Sequence, residues 1–251
     1  MMRRSLHNST RLCLLAGLAL IAGCHHRQQV VYAPPPPDYY RPPQHLNHST
    51  AARDYSEPTP VPDRVEGKPL SVQVGLSSWY GPNYNRQRSA NGDIYDQNAM
   101  TAAHNTLPMG SIVRVTNLAN GQSAIVKITD RGPFVHGRIL DLSLAAAKAT
   151  GVYRAGVAKV KIEVYSIPRT TSPNGKWCVQ VGAFINPHDS IKLKDELIRH
   201  NPNARVIEFT GPTGHWVRVN TPQGDKSKAV QIAGSIRPNE PGAEAYLVRL
   251  D

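Results

Sequence analysis

Long apolar runs are missing from this 251-residue chain. The longest, residues 12–22, falls well short of the ~20 consecutive apolar residues that a membrane-spanning helix needs, and it has the size of a secretory signal core. Cysteine is nearly absent, with three residues. Cys13 lies inside that core and Cys24 just after it, so Cys178 has no partner left for an intramolecular disulfide. Nothing near Cys178 in sequence forms a base partner, and it reads as a small strand residue, not a nucleophile. Metal-binding signatures are lacking too. The main polar cluster contains a single histidine, with no His-x-His or paired cysteines, so neither a metal nor another cofactor is expected. Acids are outnumbered, 18 Asp and Glu against 29 Lys and Arg, for a formal charge of +11.

What is present begins with an export signal. Arg3, Arg4 and Arg11 precede the apolar run, the order of a charged n-region and an apolar h-region. The run closes in Leu20-Ile21-Ala22-Gly23-Cys24, which resembles a lipobox. That resemblance implies that residues 1–23 are removed and that Cys24 is acylated and becomes the first residue. Two or three acyl chains, at ~0.8 kcal/mol per buried methylene, make a stable anchor. His25 rather than aspartate follows, which by the usual bacterial sorting pattern implies the inner leaflet of the outer membrane, with the chain facing the periplasm. Three arginines and no acids leave with the signal, so the charge falls from +11 to +8. A basic surface often marks nucleic acid, but an exported, lipidated chain meets none. Carboxylate-bearing murein and anionic envelope polymers are the expected partners, against the plain alternative of charge for solubility.

Composition divides the rest. Residues 24–69 hold Cys24 and a tract with ten of the 21 prolines and few aliphatic side chains, too little apolar surface to fold. The 45 residues after Cys24 would span roughly 40 Å as a random coil and up to about 140 Å as polyproline II. Over residues 70–168 short period-two strands take over, at 72–80, 111–116, 123–129 and 157–164, separated by glycine turns. This pattern argues a small barrel. Asn120-Gly121 suits a hairpin needing positive φ, and one helix follows Asp141 or Ser143 as N-cap and stops at Gly151. After a linker at 169–175, residues 176–251 alternate strand and helix: strands at 177–184, 205–209, 215–220 and 245–250, helices at 190–200 and 226–236. This double βαβ order implies a four-stranded sheet with two helices on one face.

Between Asn91 and Asp141 lie Asn91-Gly92-Asp93-Ile94-Tyr95-Asp96, Thr101-Ala102-Ala103-His104, Thr129-Asp130-Arg131-Gly132-Pro133-Phe134 and Gly137-Arg138-Ile139-Leu140-Asp141. Acids and a histidine set among turn glycines and short strands make a polar site on a β scaffold. These blocks resemble, in order, the rare lipoprotein A family of septal lytic transglycosylases. The resemblance implies a six-stranded double-psi β-barrel that cuts MurNAc–GlcNAc bonds in peptide-stripped peptidoglycan, leaving 1,6-anhydroMurNAc ends during daughter-cell separation. The carboxy-terminal unit resembles the SPOR domain, a ferredoxin-like septal glycan-binding module, on Val179-Gln180-Val181-Gly182-Ala183-Phe184 and Trp216-Val217-Arg218-Val219; Asn220-Thr221-Pro222 stands where that family usually has Gly-Pro-Phe. The whole reads as a mainly β barrel followed by an α+β domain, enriched at the division septum, with division proteins as further partners.

Carried over residue by residue, the resemblance implies a catalytic set of Asp130, Asp93, His104 and Asp96. Asp130, at a strand end near an apolar rim, is the choice for acid and base, since burial lifts a carboxyl pKa. Asp93 stands where the family usually has glutamate, one methylene longer. Asp96 is expected to orient Asp93, and His104 to donate to developing charge or to position the sugar. The bland reading is a turn at 93–96 and a surface histidine at 104. Arg131 is either a salt-bridge residue or a contact to a lactyl carboxylate, and Trp79-Tyr80-Gly81 either core and turn or a sugar platform. In the second unit, strand alternation puts Trp177, Val179 and Val181 against the helices and leaves Gln180 and Arg218 on the open sheet face; these two and Trp216 are the candidate glycan contacts. Two rivals stand beside the enzyme: an expansin-like, non-catalytic glycan binder and a divisome scaffold.

Overall fold

Alternation of small and branched apolar residues with polar ones closes the first sheet into a barrel. A computed structural model describes residues 60–81, 84–211 and 213–251; the signal segment, Cys24 and the linker as far as residue 59 lie outside the described residues. Six strands, β1 (Ser71–Trp79), β2 (Thr101–Ala103), β3 (Ile112–Asn117), β4 (Ser123–Asp130), β5 (Arg138–Leu142) and β6 (Ala158–Ser166), close in the order β1-β5-β2-β4-β3-β6. The pairs β1/β5 and β2/β4 are parallel and the rest antiparallel. Inward positions are fully buried: Val113 and Val115 on β3, Val126 and Ile128 on β4, Val160 and Ile162 on β6. Side chains of this size contribute about 1.5–3 kcal/mol each on burial.

The helix α1 (Leu144–Thr150) plugs one end with Ala146 and Ala147, and α2 (Val152–Ala155) continues it. Of the two candidate N-caps, Ser143 takes the role, its Oγ accepting the Ala146 N–H at 3.1 Å. Gly151 ends the helix at φ 72°, a left-handed conformation where a Cβ would also meet the Asn120 amide at 2.5 Å. The hairpin at 117–122 forms as expected, with Gly121 at positive φ. The short strands β2 and β5, too brief for a periodicity signal, complete the barrel and carry the functional motifs.

The second sheet runs β10-β7-β9-β8, built from β7 (Trp177–Phe184), β8 (Arg205–Gly211), β9 (Gly214–Asn220) and β10 (Glu244–Arg249), all antiparallel. The helices α3 (Pro187–His200) and α4 (Lys226–Ser235) cover one face, where Trp177, Val179, Val181, Val217 and Val219 pack with Leu197, Ala229 and Ile232. That face matches the alternation. Asn186 rather than a later residue caps α3, and Pro187 opens it, which sets the helix start earlier than residue 190. Barrel and sheet thus keep separate apolar cores within one compact unit. The linker at 167–176 crosses between them without regular structure.

Candidate active site

The strand order brings two acids to one rim of the barrel. Ala103, the last residue of β2, pairs with Asp130 of β4 on one side and with Asp141 of β5 on the other. Neighbouring strands lie ~4.8 Å apart, so the two carboxyls are separated by a single buried strand. Asp130 Oδ1 accepts the N–H groups of Ala90 at 2.9 Å and Arg131 at 2.8 Å, and Oδ2 accepts the Tyr80 hydroxyl at 3.0 Å. Burial raises the Asp130 pKa above the ordinary carboxylate value; the three donors and the Arg131 charge pull it down but do not cancel the rise. Asp141 is raised as well, chiefly by burial and further by the Asp130 charge, against the pull of Arg138 and the Ser78 hydroxyl at 2.6 Å. Tyr80 sits with them. Burial first, then the charges of Asp130 and Asp141, hold its phenol well above its usual pKa, so it is a neutral donor. Tyr84 and Tyr95 flank its ring at centroid distances of 5.4 and 5.0 Å.

Asp93 and Asp96 stand on an exposed loop. Asp93 accepts from the Asn91 side-chain amide at 2.7 Å and donates its N–H to Asn91 Oδ1 at 3.0 Å. Asp96 does not reach Asp93 with a hydrogen bond; it accepts the Asn98 N–H at 2.8 Å. The loop is nevertheless tied to the acid rim, because the Ala90 N–H binds Asp130 and the Asn91 N–H donates to the Thr129 carbonyl at 3.2 Å.

His104 is no surface side chain: it is 3% exposed. Its Nδ1 accepts the N–H groups of Thr106 at 3.1 Å and Leu107 at 3.0 Å, which leaves the proton on Nε2, 3.2 Å from Gln73 Oε1. Both ring nitrogens are therefore engaged in holding the 104–107 loop. Burial and then the Arg131 charge push its pKa down to about 4. Its backbone N–H donates to the Asp130 carbonyl at 3.1 Å, tying that loop to the acid.

Arg131 takes neither expected role. Its guanidinium donates to the carbonyls of His104 (2.9 Å), Leu107 (2.8 Å), Asp251 (2.9 Å) and Arg249, and these contacts leave it no fork to offer a substrate carboxylate. Burial and the Arg249 charge lower its pKa to about 10. Trp79 belongs to the barrel periphery, tilted on Tyr153 at 5.0 Å. Cys178 is fully buried, its thiol pushed up to about 11 by burial.

In the second sheet Gln180 and Arg218 are direct register partners, joined by an Arg218 Nη2 to Gln180 Oε1 bond at 2.9 Å. Both they and Trp216 project from the helix-free face, as the alternation predicts. Open it is not: Gln180 is 4% and Trp216 3% exposed. Over Trp216 the cover is the barrel segment after Asp130, with Phe134 against Trp216 at 5.2 Å and Tyr246 at 5.5 Å; Gln180 is bonded to Arg218 within its own sheet. Sequence reasoning missed this packing because both surfaces lie in different cores, and it missed Tyr80, Ser78 and Asp141 as members of the acid site. Asp141 carried a signal, since it stands beside buried leucines within the same motif run.

Comparison with known proteins agrees with this architecture. A lytic transglycolase family model matches residues 72–162 and a SPOR domain model residues 173–249. The endolytic peptidoglycan transglycosylase RlpA of Neisseria meningitidis is 50% identical over 176 residues, covering 63% of this chain and 70% of that protein. The chain belongs to the RlpA family. The RlpA proteins of Vibrio cholerae (52% identical over 105 residues, 42% of this chain) and Pseudomonas aeruginosa (57% over 90 residues, 36% of this chain) match shorter stretches, and the chain spans only 40% and 26% of their lengths. Among solved structures, Streptomyces papain inhibitor is 20% identical with a TM-score of 0.33, covering 39% of this chain and 97% of that one.

The geometry of His104 predicts a pH signature. In the unfolded chain the ring takes up its proton near 6.5, in the folded chain only near 4. The unfolded state therefore binds the proton first as pH falls. The stabilisation is complete above pH 6.5 and is lost toward pH 4, by about 3 kcal/mol. Asp130 and Asp141, raised in the fold, act with the opposite sign but are common to wild type and variant. His104→Asn, whose amide oxygen replaces Nδ1 as acceptor, should lose less stability over that window in urea melts; equal slopes for the two proteins would contradict the assignment.

Proposed function

We propose that this RlpA-family chain is an endolytic lytic transglycosylase that cuts MurNAc–GlcNAc bonds in peptide-stripped glycan strands. The observation that carries the reading is the Asp130 carboxyl, raised in pKa by burial and bonded to Tyr80 at the barrel rim. A protonated Asp130 gives its proton to the GlcNAc O4 as the glycosidic bond breaks. The resulting carboxylate then removes the proton of the MurNAc C6 hydroxyl, whose oxygen closes on C1 to give the 1,6-anhydro end. One group serves as acid and then base, so no second carboxylate need hold a water. The Tyr80 hydroxyl donates to Asp130 Oδ2 and steadies the carboxylate formed as the proton leaves. Asp141, held by Ser78 and Arg138, is the second buried carboxyl of the rim, and a charge on Asp130 favours a proton on it. His104 is a positioning residue that fixes the 104–107 loop and, through its N–H, the end of β4. Asp93 and Asp96 line the exposed loop over which a strand would pass.

Gln180, Arg218 and Trp216 are the proposed glycan contacts of the SPOR domain. Cys24 is the proposed lipid anchor in the inner leaflet of the outer membrane, from which the proline-rich segment lets the enzyme reach septal wall facing the periplasm, beside division proteins. Cys24→Ser should abolish incorporation of labelled palmitate and free the processed protein into the periplasm; label still entering the variant would refute the anchor.

The self-contained hydrogen bonding of Asp93 favours one second reading, a non-catalytic, expansin-like glycan binder. Mass spectrometry of amidase-stripped glycans incubated with the protein separates the two. Wild type should release anhydro-ended fragments. Asp130→Asn should lower their yield by roughly 10²–10⁴-fold with little effect on folding, and Asp93→Glu should raise it if the longer carboxylate reaches the strand. Full activity in Asp130→Asn would refute the acid assignment. Binding without any anhydro product, in every form, would establish the non-catalytic reading.

A further inference from the structure

The helix-free face of the second sheet is covered although neither helix of its own domain lies on it. Cys178, Gln180, Trp216 and Val248 all point away from α3 and α4, yet are at most 4% exposed. Over Trp216 the cover comes from the barrel. Phe134 packs its ring on Trp216 and Tyr246. Trp216 in turn lies flat across Gly182, where a Cβ would stand 2.6 Å from the indole; the glycine is what lets the ring seat between β7 and Phe134. Around this aromatic stack the contacts are polar. Arg131 holds the carbonyls of Arg249 and Asp251, the Arg249 N–H donates to the Asn105 carbonyl at 2.9 Å, and His136 meets Glu244 at 2.7 Å.

We propose that this face is a docking surface for the barrel's own 131–136 segment, and that docking and glycan capture by Gln180, Trp216 and Arg218 exclude one another. The inference rests on the reading of those three residues as glycan contacts. Two features make the docked state one that a ligand can open. The buried apolar part is a single aromatic cluster, and interfaces that are small and largely polar permit domain motion. The sheet face beneath it is also incompletely matched: Arg218 Nε is buried without a hydrogen-bond partner, while the Arg218 and Gln180 side chains are turned on each other. A sugar's vicinal hydroxyls are donors and acceptors of the kind that would satisfy them. The ten-residue connection at 167–176 reaches up to about 33 Å when extended, enough to let the domains part. Because the same segment begins at Arg131, next to Asp130, glycan capture by the second domain would free the chain that adjoins the acid. The substrate would thereby act on the rim from outside the barrel.

A ligand that binds only the undocked form is weakened by the fraction that is docked, so loosening the dock should strengthen binding. Phe134→Ala in the full chain should bind amidase-stripped glycan roughly three- to tenfold more tightly than wild type, in pelleting assays done on ice. In wild type itself, saturating stripped glycan should speed amide hydrogen exchange in residues 131–136. Gln180→Ala with Arg218→Ala serves as the control for the underlying reading and should abolish the binding. If that control loses binding while Phe134→Ala binds no more tightly and glycan leaves exchange at 131–136 unchanged, mutual exclusion is overturned. If the control still binds, the glycan-face assignment itself falls.

Discussion

The carboxyl of Asp130 is where the chain's constraints converge. It is withdrawn from water at the end of β4, yet it touches three hydrogen-bond donors that favour its charged form. Desolvation wins, and the carboxyl holds its proton to a higher pH than an exposed aspartate does. That balance depends on the barrel's topology. A parallel β2/β4 pair beside an antiparallel β2/β5 pair places Asp130 and Asp141 on either side of Ala103, and β1 delivers Ser78 to Asp141, with Tyr80 just beyond it reaching Asp130. Four segments remote in sequence thus meet at one rim. A slip of one residue in any of these strands would turn its functional side chain to the opposite face.

Support for the rim extends outward in layers. The buried, neutral His104 organises the 104–107 loop through two backbone N–H groups, and its carbonyl and that of Leu107 receive Arg131. Arg131 follows the acid directly and anchors the end of β10. The acid's own backbone neighbour is therefore the clasp between barrel and second sheet. A cation in that position also lowers the pKa of both Asp130 and His104, so loss of the clasp would be felt electrostatically as well as mechanically.

Period-two alternation made the long strands β1, β3, β4, β6, β7 and β9 legible, because one face of each packs on a single core. Helix α1 was legible from Ser143 and Gly151, whose capping roles depend on local backbone chemistry alone. The three-residue β2 was not, since so short a strand has no period; only the motif around His104 marked it. The choice of Asp130 as the proposed acid rests on its position at a strand end and on family resemblance. Tyr80 and Ser78 were hidden by distance: fifty and sixty-three residues separate Tyr80 from Asp130 and Ser78 from Asp141. The burial of Gln180 and Trp216 was hidden for a different reason. Alternation says which face of a strand points away from its own helices, but not what another domain lays upon that face.

The proposed chemistry depends on the protonation of one carboxyl. Carbon-13 NMR of aspartate-labelled protein, with the Asp130 resonance assigned by Asp130→Asn, follows that titration directly. A midpoint clearly above the ~3.9 of an unperturbed aspartate is the predicted result; a midpoint at or below that value would contradict it.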